Sequence, residues 1–275
     1  MDTNDHGADH SMQTSLPSDH ILARDLADAA GGLLREIRSG LMTGCDVDEV
    51  RREGDRRSHE LLVRLLRRKS PGAAVLSEEA AGVIDGSEAE RLWIIDPLDG
   101  TREFGEPDRD DWAVHVALAE AGRLVAGAVA LPALGQTYTT SPPPRPPRVD
   151  REHVRIAVSR TRPAAEAESL ANHFAGELVP MGSAGAKAMA VVSGEVDVYV
   201  HSGGQHVWDS AAPVAVAISA GLHASRIDGS DLDYGSKTTW LPDVVICRPE
   251  LRDRVLGALR SSFDASYPTD ESVDV

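Results

Sequence analysis

Cysteine is almost missing from this chain. Cys45 and Cys247 are the only two among 275 residues, which excludes a disulfide framework and a thiolate zinc site and fits a reducing compartment. Aromatic residues are scarce at 4%, so the core must be built mainly from alanine, valine and leucine. Basic charge is outweighed: 28 lysines and arginines face 44 aspartates and glutamates, a net charge of −16. That balance argues against binding nucleic acid or an anionic membrane, both of which need a basic face. An anionic substrate would need local help, most simply from a cation. No apolar run approaches the roughly 20 residues that span a bilayer. The opening residues, MDTNDHGADHSMQTSLPSDH, lack the basic-then-apolar order of a secretory signal, so a cytoplasmic setting is expected.

What is present fits one large domain or two modest ones sharing an interface. Residues 1–17 read as a disordered polar tail. Residues 18–140 read as an α+β unit. Ser18-Asp19 can cap a helix that carries Ile21, Leu22, Leu26, Ala29, Leu33 and Leu34 on one face and ends near Gly40. A second helix carries Leu61, Leu62, Leu65 and Leu66 to Arg68, before Ser70-Pro71-Gly72. Short strands follow at 73–76 and 93–95, then a hairpin of 112–119 and 124–131, then a strand at 138–140. SPPPRPPRVD, residues 141–150, cannot pair in a sheet and reads as a linker. Over residues 151–275, strands at 154–159, 177–180, 196–200 and 244–247 alternate with helices at 163–174, 182–192, 210–220 and 249–260, an α/β pattern.

One stretch stands out: WIIDPLDGTREF, residues 93–104. An apolar strand ends in Asp96 and Asp99, with Pro97 restricting the turn between them and Gly100 free to take backbone angles closed to other residues. Taken alone, Asp-Pro and Asp-Gly serve equally well as turn formers. Two more acidic sites occupy similar places: Glu78-Glu79 after an apolar strand, and Asp209 after a glycine-rich loop and before a helix. Three acidic clusters without a His/Cys partner at zinc-like spacing point to an all-oxygen site for magnesium or manganese, and so to phosphate chemistry.

VLSEE at 75–79, WIIDPLDGT at 93–101 and WDSAAP at 208–213 resemble the three signatures of the lithium-sensitive, magnesium-dependent phosphomonoesterases of the inositol monophosphatase superfamily. The resemblance runs from about residue 18 to 262. DGTREF, DDWAVHVAL, AVSRTRP and GSAGAKAMAVVSGEVDVY are most similar to its CysQ-type branch, in the actinobacterial form. That branch consists of 3'(2'),5'-bisphosphate nucleotidases, which convert 3'-phosphoadenosine 5'-phosphate (PAP) to AMP and phosphate and so dispose of a by-product of sulfate assimilation. The implied fold is an αβαβα layered sandwich, commonly a homodimer.

Carried over by position, the resemblance makes Glu78, Asp96, Asp99, Asp209 and the Leu98 carbonyl the ligands of two or three Mg2+ ions, with Mn2+ as a substitute. Glu79 supports the site. Thr101 would orient the attacking water, with Asp55 as its partner, although the family's Thr-x-Ala-Asp segment is replaced here by Glu53-Gly54-Asp55. Gly100 and Thr101 amides would hold phosphate oxygens, and Ser183, Lys187 and Asp209 would contact substrate. Arg102 reads equally as a phosphate contact or a surface ion pair. Thr161-Arg162 stands where the family has Ser-His after Ser159-Arg160, so a base-proximal histidine is missing. A broad inositol 1-phosphate or fructose 1,6-bisphosphate phosphatase is the alternative, and a non-catalytic nucleotide or metal sensor the remote one.

Overall fold

A computed structural model describes residues 17–80, 82–84, 90–235 and 238–266. The expected tail lies outside these residues except for Pro17. The elements in chain order are α1 (Pro17–Arg38), α2 (Val47–Lys69), β1 (Ala74–Ser77), β2 (Gly82–Ile84), β3 (Arg91–Asp99), α3 (Thr101–Phe104), β4 (Ala113–Glu120), β5 (Arg123–Leu131), β6 (Gln136–Thr139), β7 (Arg155–Ser159), α4 (Ala165–Phe174), β8 (Glu177–Met181), α5 (Ala184–Val192), β9 (Val198–His201), β10 (Gln205–His206), α6 (Val207–Ser219), β11 (His223–Ser225), β12 (Trp240–Leu241), β13 (Val244–Cys247) and α7 (Arg252–Ser266).

Two sheets organise the chain. One has strand order β2-β1-β3-β4-β5-β6 and the other β11-β13-β9-β7-β8, while β10 and β12 form a separate pair. Helices α1 and α2 cover the outer face of the first sheet, where Leu26, Leu34, Leu62 and Leu66 meet Trp93, Ile95, Leu98 and Val116. Helices α5 and α6 fill the space between the sheets, their Met189, Val191, Val214 and Val216 packing with Ile94, Ala117, Val129, Tyr199 and Ile246. Helices α4 and α7 close the far face against Ile156, Val198 and Val245. The result is the expected five-layer αβαβα sandwich. Residues 141–150 contain no helix or strand.

Local chemistry explains where the helices begin. The Asp46 side chain accepts a bond from the Glu49 amide, and α2 carries Asp48 and Glu49 in its first turn and Arg67, Arg68 and Lys69 in its last, matching the helix dipole. This helix starts nearly four turns earlier than its leucines indicate. Its buried face continues upstream through Ser58, Gly54 and Val50, at intervals of four residues. A Cβ on Gly54 would lie 2.8 Å from Phe104 and 3.0 Å from Leu98, so only glycine lets the helix approach the end of β3 this closely. Asp19 lies inside the first turn of α1 rather than capping it, and is paired with Arg91 at 2.9 Å.

Strand β3 does not stop at Ile95. It runs to Asp99 with an irregularity in its pairing to β4: Asp96 faces His115 and Asp99 faces Ala113, so three steps on one strand match two on the other. One extra residue shifts the alternation of the strand. Leu98 therefore joins Trp93 and Ile95 in the outer core, and Asp99 returns to the side that Asp96 occupies.

Candidate active site

The shift in β3 brings two carboxylates from one strand to the inter-sheet side, and α6 supplies the third. Asp96, Asp99 and Asp209 each offer an oxygen within 4.8 Å of the others. Helix α6 begins at Val207, three residues before the apolar patterning indicates, so Asp209 sits inside its first turn, and its Oδ2 accepts the His206 amide at 2.7 Å. The Asp96 Oδ1 accepts the Leu98 amide at 3.1 Å, and the Ser58 hydroxyl donates to the Pro97 carbonyl at 2.7 Å. The Ser58 bond thus ties the strand end to α2, and the other two hold their carboxylates locally.

Their surroundings push the carboxylates in opposite directions. Asp96 is pushed well above the usual range, first by burial and then by the charges of Glu78, Asp99 and Asp209. Glu78 stays exposed as a residue, yet partial desolvation and then the Asp209 charge raise its carboxyl to about 7. Asp209 is raised to about 6 by burial and by Asp99, against the His206 amide. Asp99 goes the other way: burial opposes its ionisation, but His115, Lys187 and the Ser183 hydroxyl together hold it below the ordinary range. His115 is fully buried, with its Nδ1 3.0 Å from the Trp208 carbonyl and its Nε2 3.1 Å from Asp99 Oδ2. The same Oδ2 accepts the Ser183 hydroxyl and, at 2.8 Å, the Gly185 amide. Oδ1 of Asp99 accepts none of these bonds.

Crowded acids with depressed acidity are a site that divalent cations would relieve. The oxygens that meet are carboxylates from β3 and α6, which suits a hard ion. The residues present therefore fit a metal centre.

Beside it, Thr101 Oγ1 lies 3.1 Å from Asp55 Oδ1 and 3.2 Å from the Leu98 carbonyl. Asp55 projects from α2, and burial, then the nearby Glu79, raises it to about 6. Gly100 takes φ +86°, the left-handed region, and turns the chain from β3 into α3, a single turn closed by the Phe104 amide on the Gly100 carbonyl.

One expectation, a substrate contact from Ser183, meets a different geometry: its hydroxyl donates to Asp99 and accepts the Ala186 amide, and the residue is 2% exposed. Arg160 is held by Glu103 and Glu106, each at 2.6 Å. Lys187 lines the cleft, but as a buried group whose Nζ donates to the Gly182 and Ser183 carbonyls and lies 5.4 Å from the Tyr199 ring. Arg102 is exposed on the cleft and has no ion pair among the described residues. His115, Asp111 and Trp240 were not singled out from the sequence. Asp111 joins the halves of the site, since it accepts the Gly182 amide and is bound by Arg109.

The sandwich and the carboxylate cluster at the inner edge of its first sheet define a class, and comparison with known proteins agrees. The Inositol monophosphatase family profile matches residues 19–262, and this chain belongs to that family. It is 47% identical over 244 residues to the 3'-phosphoadenosine 5'-phosphate phosphatase of Mycobacterium tuberculosis, covering 85% of this chain and 90% of that one. It is 48% identical over 256 residues to the protein of the same name from Mycobacterium leprae, covering 88% and 94%. Among solved structures, CysQ from Bacteroides thetaiotaomicron superposes with a TM-score of 0.71 at 25% identity, covering 84% of this chain and 97% of that one.

Proposed function

We propose that this chain is a magnesium-dependent phosphomonoesterase that removes the 3'-phosphate of PAP, releasing AMP and phosphate. The observation that carries this reading is the meeting of Asp96, Asp99 and Asp209 within 4.8 Å, at a cleft whose volume of about 830 Å3 is large enough for a nucleotide. The names of the relatives support the substrate. Glu78, Asp96, Asp99, Asp209 and the Leu98 carbonyl would hold two or three Mg2+ ions, with Mn2+ able to replace them. Bound there, such ions acidify water and neutralise charge on the phosphate and the departing oxygen.

The chain's own residues do the rest. Ionised Asp55 accepts the Thr101 hydroxyl proton in a hydrogen bond, which leaves the Thr101 oxygen turned to accept from the attacking water and aims that water's lone pair. Gly100 and Thr101 present amides beside the same water, Lys187 adds positive charge at the cleft wall, and Ser183 positions Asp99. The water attacks phosphorus in line with the 3'-oxygen, which leaves as the P–O bond breaks and takes up a proton. The proposed assembly is a homodimer in the cytoplasm, supported by the family resemblance; no helix among the described residues is long and apolar enough to cross a membrane.

Phosphorus NMR of the products tests the regiochemistry. Formation of 5'-AMP with inorganic phosphate, abolished by chelation, is expected; 3'-AMP as product, or release that survives chelation, would refute the reading.

A further inference from the structure

The cleft changes character along its length. Its inner wall is ionic, with Asp99, Asp209 and Lys187, and its outer rim carries Trp240. Trp93, Trp112 and Trp208 are 0%, 0% and 8% exposed, whereas Trp240 is 49% exposed. The indole of Trp240, on a strand of two residues, thus keeps half of its surface open to the cleft side and solvent, unlike the other three.

Its position is nevertheless fixed. Trp240 pairs with His206 across the β10–β12 ladder. Its ring lies on the backbone of Gly204, where a Cβ would come within 1.7 Å of it; Gly204 also has φ +91°. The ring meets His206 edge-on, with centroids 5.7 Å apart and planes at 83°, and His206 in turn stacks on Trp208 at 4.4 Å and 11°. His206 also fixes Asp209 through its amide. One residue thus links the ionic floor of the cleft to the aromatic rim. A rigid, half-exposed indole needs no further ordering to receive a flat ring.

We infer that Trp240 is the specificity-determining platform of the cleft, stacking the base of a nucleoside phosphate whose ester lies over the carboxylates. The inference rests on the nucleotide reading above, and selects nucleoside esters over those of non-aromatic polyols. Base stacking on an aromatic side chain is sequence-tolerant and strong enough for the task.

The test compares the wild type with W240A and W240F, measuring steady-state hydrolysis of PAP and, separately, quenching of tryptophan fluorescence by AMP. The expected result is a KM for PAP raised on the order of tenfold or more in W240A with kcat much less affected. W240F should recover most of the loss, and the component of AMP quenching that disappears in W240F should be the major one. An unchanged KM in W240A together with AMP quenching retained in W240F would overturn the inference. The two claims separate: PAP hydrolysis insensitive to W240A removes the platform and leaves the nucleotidase reading, whereas Trp240-dependent quenching by AMP without PAP hydrolysis removes the nucleotidase reading and leaves the platform.

Discussion

Individual side chains here are matched to tasks through their environments. Asp99 is held ionised by His115, Lys187 and Ser183, while Asp96 and Asp209 a few ångströms away are pushed toward protonation. Asp99→Asn would keep the shape but remove a charge, and turnover in saturating magnesium should fall by roughly 10²–10³-fold with a much smaller change in unfolding midpoint. Near-normal turnover would remove Asp99 from the metal centre. Asp55 makes a pH prediction. Burial, then Glu79, pushes its carboxyl up to about 6 from an ordinary 3.8, so the folded state holds this proton more tightly than the unfolded one. The stability this contributes is complete below about pH 4 and is lost as pH rises through about 6. In chelated protein, the stability of the wild type relative to Asp55→Asn should therefore decline across that interval in urea denaturation; a difference that is flat or rises with pH would contradict the assignment. His115 illustrates what residue reading misses. It occupies an alternating strand like any half-buried polar residue, and only the pairing of β4 with β3 shows that it faces Asp96.

At the scale of elements, legibility followed apolar periodicity. The hairpin of β4 and β5, the strands β7, β9 and β13 and the helix α5 all lie close to where alternation or helical spacing puts them. Helix α2 hides its first half because the buried positions there are Val50, Gly54 and Ser58, and at Gly54 the close approach of Phe104 and Leu98 leaves no room for a Cβ. The end of β3 hides behind Pro97, a poor strand residue that survives where the pairing is irregular. Strands β2, β11 and β12 are two or three residues long, too short for any period to show. These irregular pieces build the site: the β3 shift aligns Asp96 with Asp99, and β12 carries Trp240. The one-turn α3 depends on a cross-chain clamp, in which Arg160 binds Glu103, itself 5% exposed, and Glu106. Arg160→Met would strand a buried carboxylate, at a cost on the order of 3 kcal/mol, and loosen the turn that presents Gly100 and Thr101. Urea denaturation should show that loss alongside a reduced kcat; a variant within about 0.5 kcal/mol of wild type would show the clamp to be a solvated ion pair.

The whole molecule was more legible than its parts, because three short signatures resembling one family stand in order along the chain and fix the layers that periodicity alone leaves open. In the folded protein those signatures meet from β1, β3 and α6, two elements of one sheet and the helix wedged between both sheets. A cation held there would tie the layers together and favour the folded state, in which alone these carboxylates converge. Magnesium at a hundred times its dissociation constant should therefore add about 2.7 kcal/mol of stability, read as a rise in thermal midpoint that chelation reverses. An unchanged midpoint would place the metal elsewhere or nowhere. The most direct test of the account is phosphate release from PAP, inositol 1-phosphate and fructose 1,6-bisphosphate at matched concentrations, with magnesium and after chelation. The account predicts magnesium-dependent release with at least a hundredfold preference for PAP in kcat/KM, equivalent to roughly 2.7 kcal/mol of discrimination in the transition state. Comparable rates on all three substrates, or no magnesium-dependent release from PAP, would contradict it.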